Sequence, residues 1–314
     1  MLGYLVERLI SALVVLIIVS ALAFGVIWLV PGDPASAFLD AGATAEQIER
    51  LRHQLGLDRP FHIQVVEWYG RLLQGDLGRS LLLNRGVGEA IIERLPVTLS
   101  LAGLALLFCV ALGILSGVVA AVHHNRWADQ SLMALALLGL SIPDFWLGLV
   151  LIYIFAVALA WLPSGGFVPI SQDFGQWCAY MAMPAFTLAV GHMGLLARMT
   201  RSTMLEVLRQ DYVRTARAKG VPETAVIFRH GLGNAMIPVM TVIGIVAGGL
   251  LGGAVVVEQV FSLPGVGRLI IGAVLRRDFP VMQGGLLLLA VIYLAINMIV
   301  DMLYVVIDPR VRYD

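Results

Sequence analysis

Residues 97–122 read VTLSLAGLALLFCVALGILSGVVAAV, twenty-six positions without an Asp, Glu, Lys or Arg. About 20 such residues cross a hydrocarbon core of about 30 Å as a helix. Backbone N–H and C=O groups find no water in lipid, so a crossing segment must satisfy them internally, and a helix does so. Leu9–Val30 repeats the pattern over twenty-two uncharged positions. Arg8 before it and Ala21-Leu22-Ala23 within it faintly imitate a cleaved leader. The apolar run goes on through Phe24–Val30, past the about 7–15 residues of a leader's apolar core, so it is expected to stay as the first helix.

The rest of the chain keeps this character. Of its 314 residues 59% are hydrophobic and 13% charged, against about 25% charged in an average soluble domain. Six spans are expected, near 9–30, 97–122, 132–160, 180–200, 235–257 and 281–306. The fold class is therefore an all-α membrane protein with six transmembrane helices. Residues 1–30 form a terminus and first helix, 31–96 a polar insert, 97–306 a five-helix core with a polar segment 206–233, and 307–314 a tail. The net charge of zero gives no electrostatic case for nucleic acid. Cys109 and Cys178 lie in or beside apolar stretches and form neither a disulfide framework nor a metal-ligand spacing.

The insert is expected to be an ordered extramembrane layer. Thr44 and Gln47 have capping-box spacing before a helical stretch that ends at Gly56. Phe61, Val65, Trp68, Tyr69 and Leu72 then recur at helical spacing. Turn chemistry marks Pro31-Gly32-Asp33-Pro34 and Gly75-Asp76-Leu77-Gly78.

Cationic residues orient the spans. Eleven (Arg8, Arg126, Arg198, Arg201, Arg209, Arg214, Arg217, Lys219, Arg229, Arg310, Arg312) fall on the side of both termini, and three (Arg268, Arg276, Arg277) on the other. The insert adds seven arginines and nine acids to the second side, but exceeds the about 60 residues within which the rule counts. Both termini and segment 206–233 are thus expected in the cytosol.

Within that segment, Asp211–Lys219 has good helix formers with cations near its end, which suits the helix dipole. Gly220 is a C′ stop and Pro222 blocks continuation. Glu223–His230 is a second amphipathic stretch before Gly231 and Gly233, so two short helices are expected about a sharp turn. Composition alone is equally that of a solvated basic loop touching anionic lipid.

The order of residues narrows this. Tyr212-Val213-Arg214-Thr215-Ala216-Arg217-Ala218-Lys219-Gly220, followed by Asn234-Ala235-Met236-Ile237-Pro238, resembles the cytoplasmic coupling motif of binding-protein-dependent ABC importers. Thr215-Ala216-Arg217 replaces that motif's Glu-Ala-Ala, and Gly220 supplies its glycine. The replacement is similar to the dipeptide, oligopeptide and nickel branch. So are Leu55-Gly56-Leu57-Asp58-Arg59-Pro60, Ser141-Ile142-Pro143-Asp144-Phe145, Arg198-Met199-Thr200-Arg201-Ser202-Thr203-Met204, Phe261-Ser262-Leu263-Pro264-Gly265-Val266-Gly267-Arg268 and Asp308-Pro309-Arg310-Val311-Arg312.

The resemblance implies a type I ABC importer permease fold with an extracytoplasmic insert between helices 1 and 2, in a bacterial inner membrane. It implies a second, homologous permease, two cytosolic ATPase subunits or domains that hold ATP and Mg, and a periplasmic substrate-binding protein; the spans imply membrane lipid. It assigns the coupling helix to Asp211, Tyr212, Arg214, Thr215, Ala216, Arg217, Ala218, Lys219 and Gly220. Ala216 and Ala218 are expected to permit close approach of a partner, with Arg214, Arg217 and Lys219 as rim charges. The cargo implied is a di- or oligopeptide, with nickel or another metal chelate and glutathione as alternatives. No catalytic residue, metal site or bound cofactor is assigned to this chain. Its single lysine, Lys219, is followed by Gly220, so no phosphate-binding loop is present. That absence fits a secondary transporter equally, although no inverted repeat or midplane charge pair stands out. A membrane-embedded enzyme would need a constellation such as His-Glu-x-x-His, which is not found.

Ionisable groups inside spans are functional candidates. Asp144, after Pro143, and His192 are the translocation-pathway candidates. Their alternatives are capping a helix at a break and bonding a neighbouring carbonyl. Glu258 is expected at the water interface, and Asp301 paired with an arginine or reaching for water. Gly248 and Gly252 form a small-xxx-small pair for close helix approach, between subunits or within the chain.

Overall fold

The structure, a computed structural model, describes residues 2–29, 44–54, 56–80 and 82–307. The turn at Pro31–Pro34, the side chain of Asp301 and the closing Asp308–Arg312 stretch lie outside the described residues. The regular structure of the described residues is helical apart from a two-residue antiparallel pair, β1 (Arg79–Ser80) and β2 (Arg85–Gly86). The helices are α1 (Leu2–Leu29), α2 (Ala45–Gln54), α3 (Phe61–Leu73), α4 (Val87–Val122), α5 (Trp127–Ser141), α6 (Asp144–Ala158), α7 (Phe174–Leu208), α8 (Asp211–Ala218), α9 (Glu223–Val260), α10 (Val266–Arg276) and α11 (Phe279–Ile307). Five of them, α1, α4, α7, α9 and α11, are long and apolar enough to cross a membrane.

The sixth expected span is broken. Helices α5 and α6 meet at 105°, and only as one bent span do they complete six. Pro143 explains the break: it lacks an N–H and holds the preceding Ile142 out of the helical region, at φ −83° and ψ 125°. A straight helix over 132–160 is thereby corrected. The second half winds into a π-helical turn over Ile152–Ala158. Other spans overrun their apolar cores; α4, with 36 residues, extends about 54 Å at 1.5 Å per residue.

Two compact units divide the chain at Pro96, Pro264 and Leu294. The first comprises 1–96 with 264–294. Here the Thr44–Gln47 box forms: Gln47 N–H donates to Thr44 Oγ1, and Thr44 N–H to Gln47 Oε1. The predicted face of α3 packs on α1, with Phe24 rings 5.4 Å from Trp68 and 5.7 Å from Phe61. Tyr69 hydroxyl and Ser20 share a hydrogen bond at 2.9 Å. In the same unit Val87, Ile91, Leu269, Ala273, Phe279 and Val281 form a core, and Ser80 hydroxyl donates to the buried Asp278 carboxylate.

The second unit comprises 97–263 with 295–314. Three helices each contribute a ridge at intervals of four residues: Val97, Leu101, Ala105 and Cys109 of α4; Met181, Ala185 and Ala189 of α7; Val246, Leu250 and Ala254 of α9. Such ridges interlock in helix packing. Glycines bring the backbones close, and a Cβ at Gly194 would lie 2.3 Å from Ala136 O. Glu258 departs from expectation. It is fully buried, and Thr98 Oγ1 donates to its Oε1 at 2.6 Å. Protein atoms rather than water enclose this carboxyl.

Candidate functional site

The polar segment between the fourth and fifth spans begins where α7 unwinds. Arg209 and Gln210 close the last turn on Glu206 O and Val207 O, and Gln210 then turns extended at φ −68° and ψ 149°. Helix α8 follows over eight residues. Its end is a Schellman motif: Val221 N–H reaches Ala216 O at 3.2 Å and Gly220 N–H reaches Arg217 O at 3.0 Å. Gly220 adopts φ 77°, the left-handed conformation that glycine enters without a Cβ penalty.

Side chains fasten α8 to its neighbours. Val213 and Ala216 are buried, three residues apart on one face. Arg217 makes two hydrogen bonds to Glu223, at 2.7 and 3.1 Å, which hold that exposed carboxyl below its usual range and raise the guanidinium. Tyr212 hydroxyl donates to His230 O at 3.4 Å. Asp211, Tyr212, Arg214, Thr215, Ala218 and Lys219 are left on the exposed face. Of the two alanines expected to face a partner, Ala218 is exposed, whereas Ala216 is an internal contact. The helical period explains this: Ala216 lies three positions after Val213 and shares its stripe.

The second short helix is also corrected. Glu223–Ala225 passes through a π-turn over Val226–Leu232 directly into Gly233–Val260, so Gly231 and Gly233 do not stop it. Gly231 instead permits packing: a Cβ there would lie 3.2 Å from Leu208 Cδ2 and from Met204 Cε. Helix α8 is thus strung between the end of α7 and the uninterrupted start of α9.

The sequence marks Arg201 as a positive charge and as part of the Arg198–Met204 stretch, but does not show its partner. Its Nε and Nη2 meet the Asp129 carboxylate at 2.5 and 2.7 Å, a two-point contact that fixes orientation as well as distance. Asp129 also accepts from Asn125 N–H at 2.9 Å, and His124 Nδ1 lies 3.2 Å from Arg201 Nη2. This ties the start of α5 to α7 about two turns before α7 ends at Leu208. The available signal was a lone acid opening an apolar stretch and an arginine closing another.

The two pathway candidates come together on one patch. Asp144 is the first residue of α6, at the break, directly after the N-cap Pro143. His192 lies on α7. Both face glycines of α9: a Cβ at Gly253 would lie 3.5 Å from Asp144 Oδ2, and one at Gly249 would lie 2.9 Å from His192 Nε2. Close approaches on this stretch of α9 occur at Gly244, Gly249 and Gly253, while Gly252 has no atom within 4 Å of its Cβ position. His192 Nδ1 also lies 3.3 Å from Leu188 O, so the expected carbonyl contact is present alongside. Among the described residues no group of three or more His, Cys, Asp or Glu is placed to hold a metal ion.

Comparison with known proteins gives a consistent set of similarities. A family model described as "Binding-protein-dependent transport system inner membrane component" matches residues 113–313, and one for the N-terminal part of such membrane components matches residues 1–102. The chain is 48% identical over 314 residues to a putative peptide transport system permease protein of Brucella abortus (strain 2308), with 100% of each covered. It is 44% identical over 313 residues to the glutathione transport system permease protein GsiC of Salmonella typhimurium, again over 100% of each. An inward-facing structure of the MetNI methionine ABC transporter superposes with a TM-score of 0.58 at 19% identity, covering 69% of this chain and 95% of that one. That likeness establishes a shared fold.

Proposed function

The chain belongs to the family of binding-protein-dependent transport system inner membrane components, and from that membership we propose that it is the permease subunit of an ATP-driven importer of di- or oligopeptides. As a family member it is a multi-pass inner-membrane transport component with the fold of a type I ABC importer permease. Both curated relatives compared above are named for peptide-type cargo, since glutathione is itself a tripeptide. Glutathione is the second reading, favoured by the Salmonella relative; metal chelates have no such support.

One observation carries the proposal: α8 is a short polar helix whose outer face is free and whose inner face is locked to two membrane helices. A cytosolic ATPase that seats Asp211, Tyr212, Arg214, Thr215, Ala218 and Lys219 would move α8 as a rigid piece. Val213, Ala216 and the Arg217–Glu223 pair would pass that motion to α7 and α9, and the Arg201–Asp129 clasp would carry α5 along. ATP and Mg would reside on two ATPase subunits or domains, not on this chain. A second homologous permease would complete the pathway, with Asp144 and His192 lining it. A periplasmic binding protein would deliver cargo to the face bearing the insert 31–96, with both termini and α8 in the cytosol. The charge count of eleven cations against three supports that orientation.

Purification of the chain with its co-expressed neighbours tests the assignment. An ATPase should copurify, and uptake of labelled dialanine into proteoliposomes should stop when ATP is withheld. Uptake that persists without ATP would overturn the proposal in favour of a secondary transporter.

A further inference from the structure

Two arginines stand about one turn apart near the C-terminal end of α7, and they differ in company. Arg201 is held by the Asp129 carboxylate. Arg198, three residues earlier, is exposed and has no ion pair or hydrogen bond among the described residues. Its depth makes that matter. Helix α7, with 35 residues, extends about 52 Å. Centred on a hydrocarbon core of about 30 Å, it projects about 11 Å on each side. Arg198 lies ten residues before Leu208, about 15 Å from that end, and so falls at the edge of the core. A cation there is costly without an anion to meet it.

Arg198 borders an open groove of about 550 Å³ on the faces of α5 and α7. Helical spacing builds its walls. On α5, Met133 and Leu137 are four residues apart; on α7, Leu195, Arg198 and Ser202 follow at three and four, so each set shares a face. Asp129 meets Arg201, and Ala136 O packs against Gly194, so the two helices run antiparallel. The lining therefore sorts by depth. Arg198, Arg201 and Ser202 lie toward the membrane surface, and Leu137 and Leu195 lie toward its middle, with Met133 between.

A ligand that matches this groove has an anionic head and an apolar tail. The Arg198 guanidinium offers several N–H donors in one plane, and Ser202 adds a hydroxyl one turn on; both suit phosphate oxygens. A free anion would gain nothing from Met133, Leu137 and Leu195, whereas a hydrocarbon chain would leave water by lying on them. We infer that the groove seats an anionic phospholipid, with its phosphate on Arg198 and Ser202 and one acyl chain along Met133, Leu137 and Leu195. Basic pockets between membrane helices hold such headgroups on the cytoplasmic side. The leaflet rests on the orientation proposed above; the site itself does not. Because the groove spans α5 and α7 beside the Arg201–Asp129 clasp, a seated lipid braces the same pair of helices from outside.

Native mass spectrometry of the detergent-purified assembly tests this, after equilibration with dioleoylphosphatidylglycerol or dioleoylphosphatidylcholine. The unaltered assembly should retain the phosphatidylglycerol several-fold better than the phosphatidylcholine. Arg198→Gln should retain one phosphatidylglycerol fewer per copy of this chain, and Arg198→Lys, which keeps the charge, should recover part of it. Leu137→Trp fills the apolar end and should also lose that molecule. Both changes lie on exposed positions and leave the clasp in place, so the unfolding temperature in lipid-free detergent should not move. Millimolar inorganic phosphate should not displace the lipid. Equal retention by the unaltered chain and Arg198→Gln, equal retention of the two lipids, or displacement by inorganic phosphate would each overturn the inference. So would a disulfide between Arg198→Cys and a cysteine placed on the second permease, which would give the groove a protein occupant. Lipid retention is read without transport, so its failure is distinct from failure of ATP-dependent uptake, which bears on the functional assignment alone.

Discussion

Arg201 grips Asp129 by two hydrogen bonds of 2.5 and 2.7 Å across seventy-two residues of sequence, and the carboxylate side chain is 3% exposed. Removing one partner from a buried pair strands the other charge, at a cost of about 3–5 kcal/mol. With Arg201 a quarter exposed, the lower end applies. Arg201→Ala should therefore lower the unfolding temperature of the detergent-solubilised protein clearly, and more than Arg214→Ala, whose side chain is 76% exposed. Equal effects of the two would show that the clasp contributes nothing.

Gly220 gives a graded prediction. A Cβ there meets no atom within 4 Å, so Gly220→Ala is opposed only by the φ of 77°, at about 1–2 kcal/mol. Gly220→Pro fixes φ near −65° and removes the N–H that bonds Arg217 O, so it dismantles the helix end. Membrane insertion should survive in both variants. ATP-dependent uptake should be reduced by the first and lost in the second; normal uptake by Gly220→Pro would refute the role of the turn.

Val213 is fully buried on the inner face of α8. Val213→Asp places a charge where no water reaches and should detach the helix, so that limited proteolysis cuts between Gln210 and Val221. Ala218→Asp, on the exposed face, should leave the proteolysis pattern unchanged. Protection of the segment in Val213→Asp would mean that α8 is held by something other than this face.

Thr98 donates to the buried Glu258 at 2.6 Å, a charge-assisted bond if the carboxyl is ionised. Thr98→Val keeps the shape and deletes the donor. The expected cost is about 1–3 kcal/mol, read as a lower unfolding temperature. No change would show that other groups satisfy Glu258 completely.

Much of this architecture is legible in the chain because lipid imposes a simple rule: uncharged runs such as Leu9–Leu29 and Val97–Val122 become helices. Local chemistry is equally readable where it depends on neighbours in sequence, as with the Thr44–Gln47 cap and the left-handed Gly220. Several of the differences share one cause, a partner far along the chain. Glu258 looked like a residue for water until Thr98, 160 residues away, stood beside it. The Arg201–Asp129 clasp and the convergence of Asp144 with His192 follow from helix packing that no local window contains. The π-turn over Val226–Leu232 was hidden for a different reason. Gly231 and Gly233 look like stops, but the helix continues because Gly231 packs against Met204 and Leu208.

The exposed face of α8 carries the central claim, and site-directed cross-linking addresses it most directly. A photoreactive side chain at Ala218, on the free face, should form a covalent adduct with the co-assembled ATPase, whereas the same group at the buried Val213 should not. An ATPase adduct from Ala218 and none from Val213 is the predicted result. Adducts at neither position, in assemblies that retain the ATPase and take up dialanine, would contradict the assignment of α8 as the coupling helix.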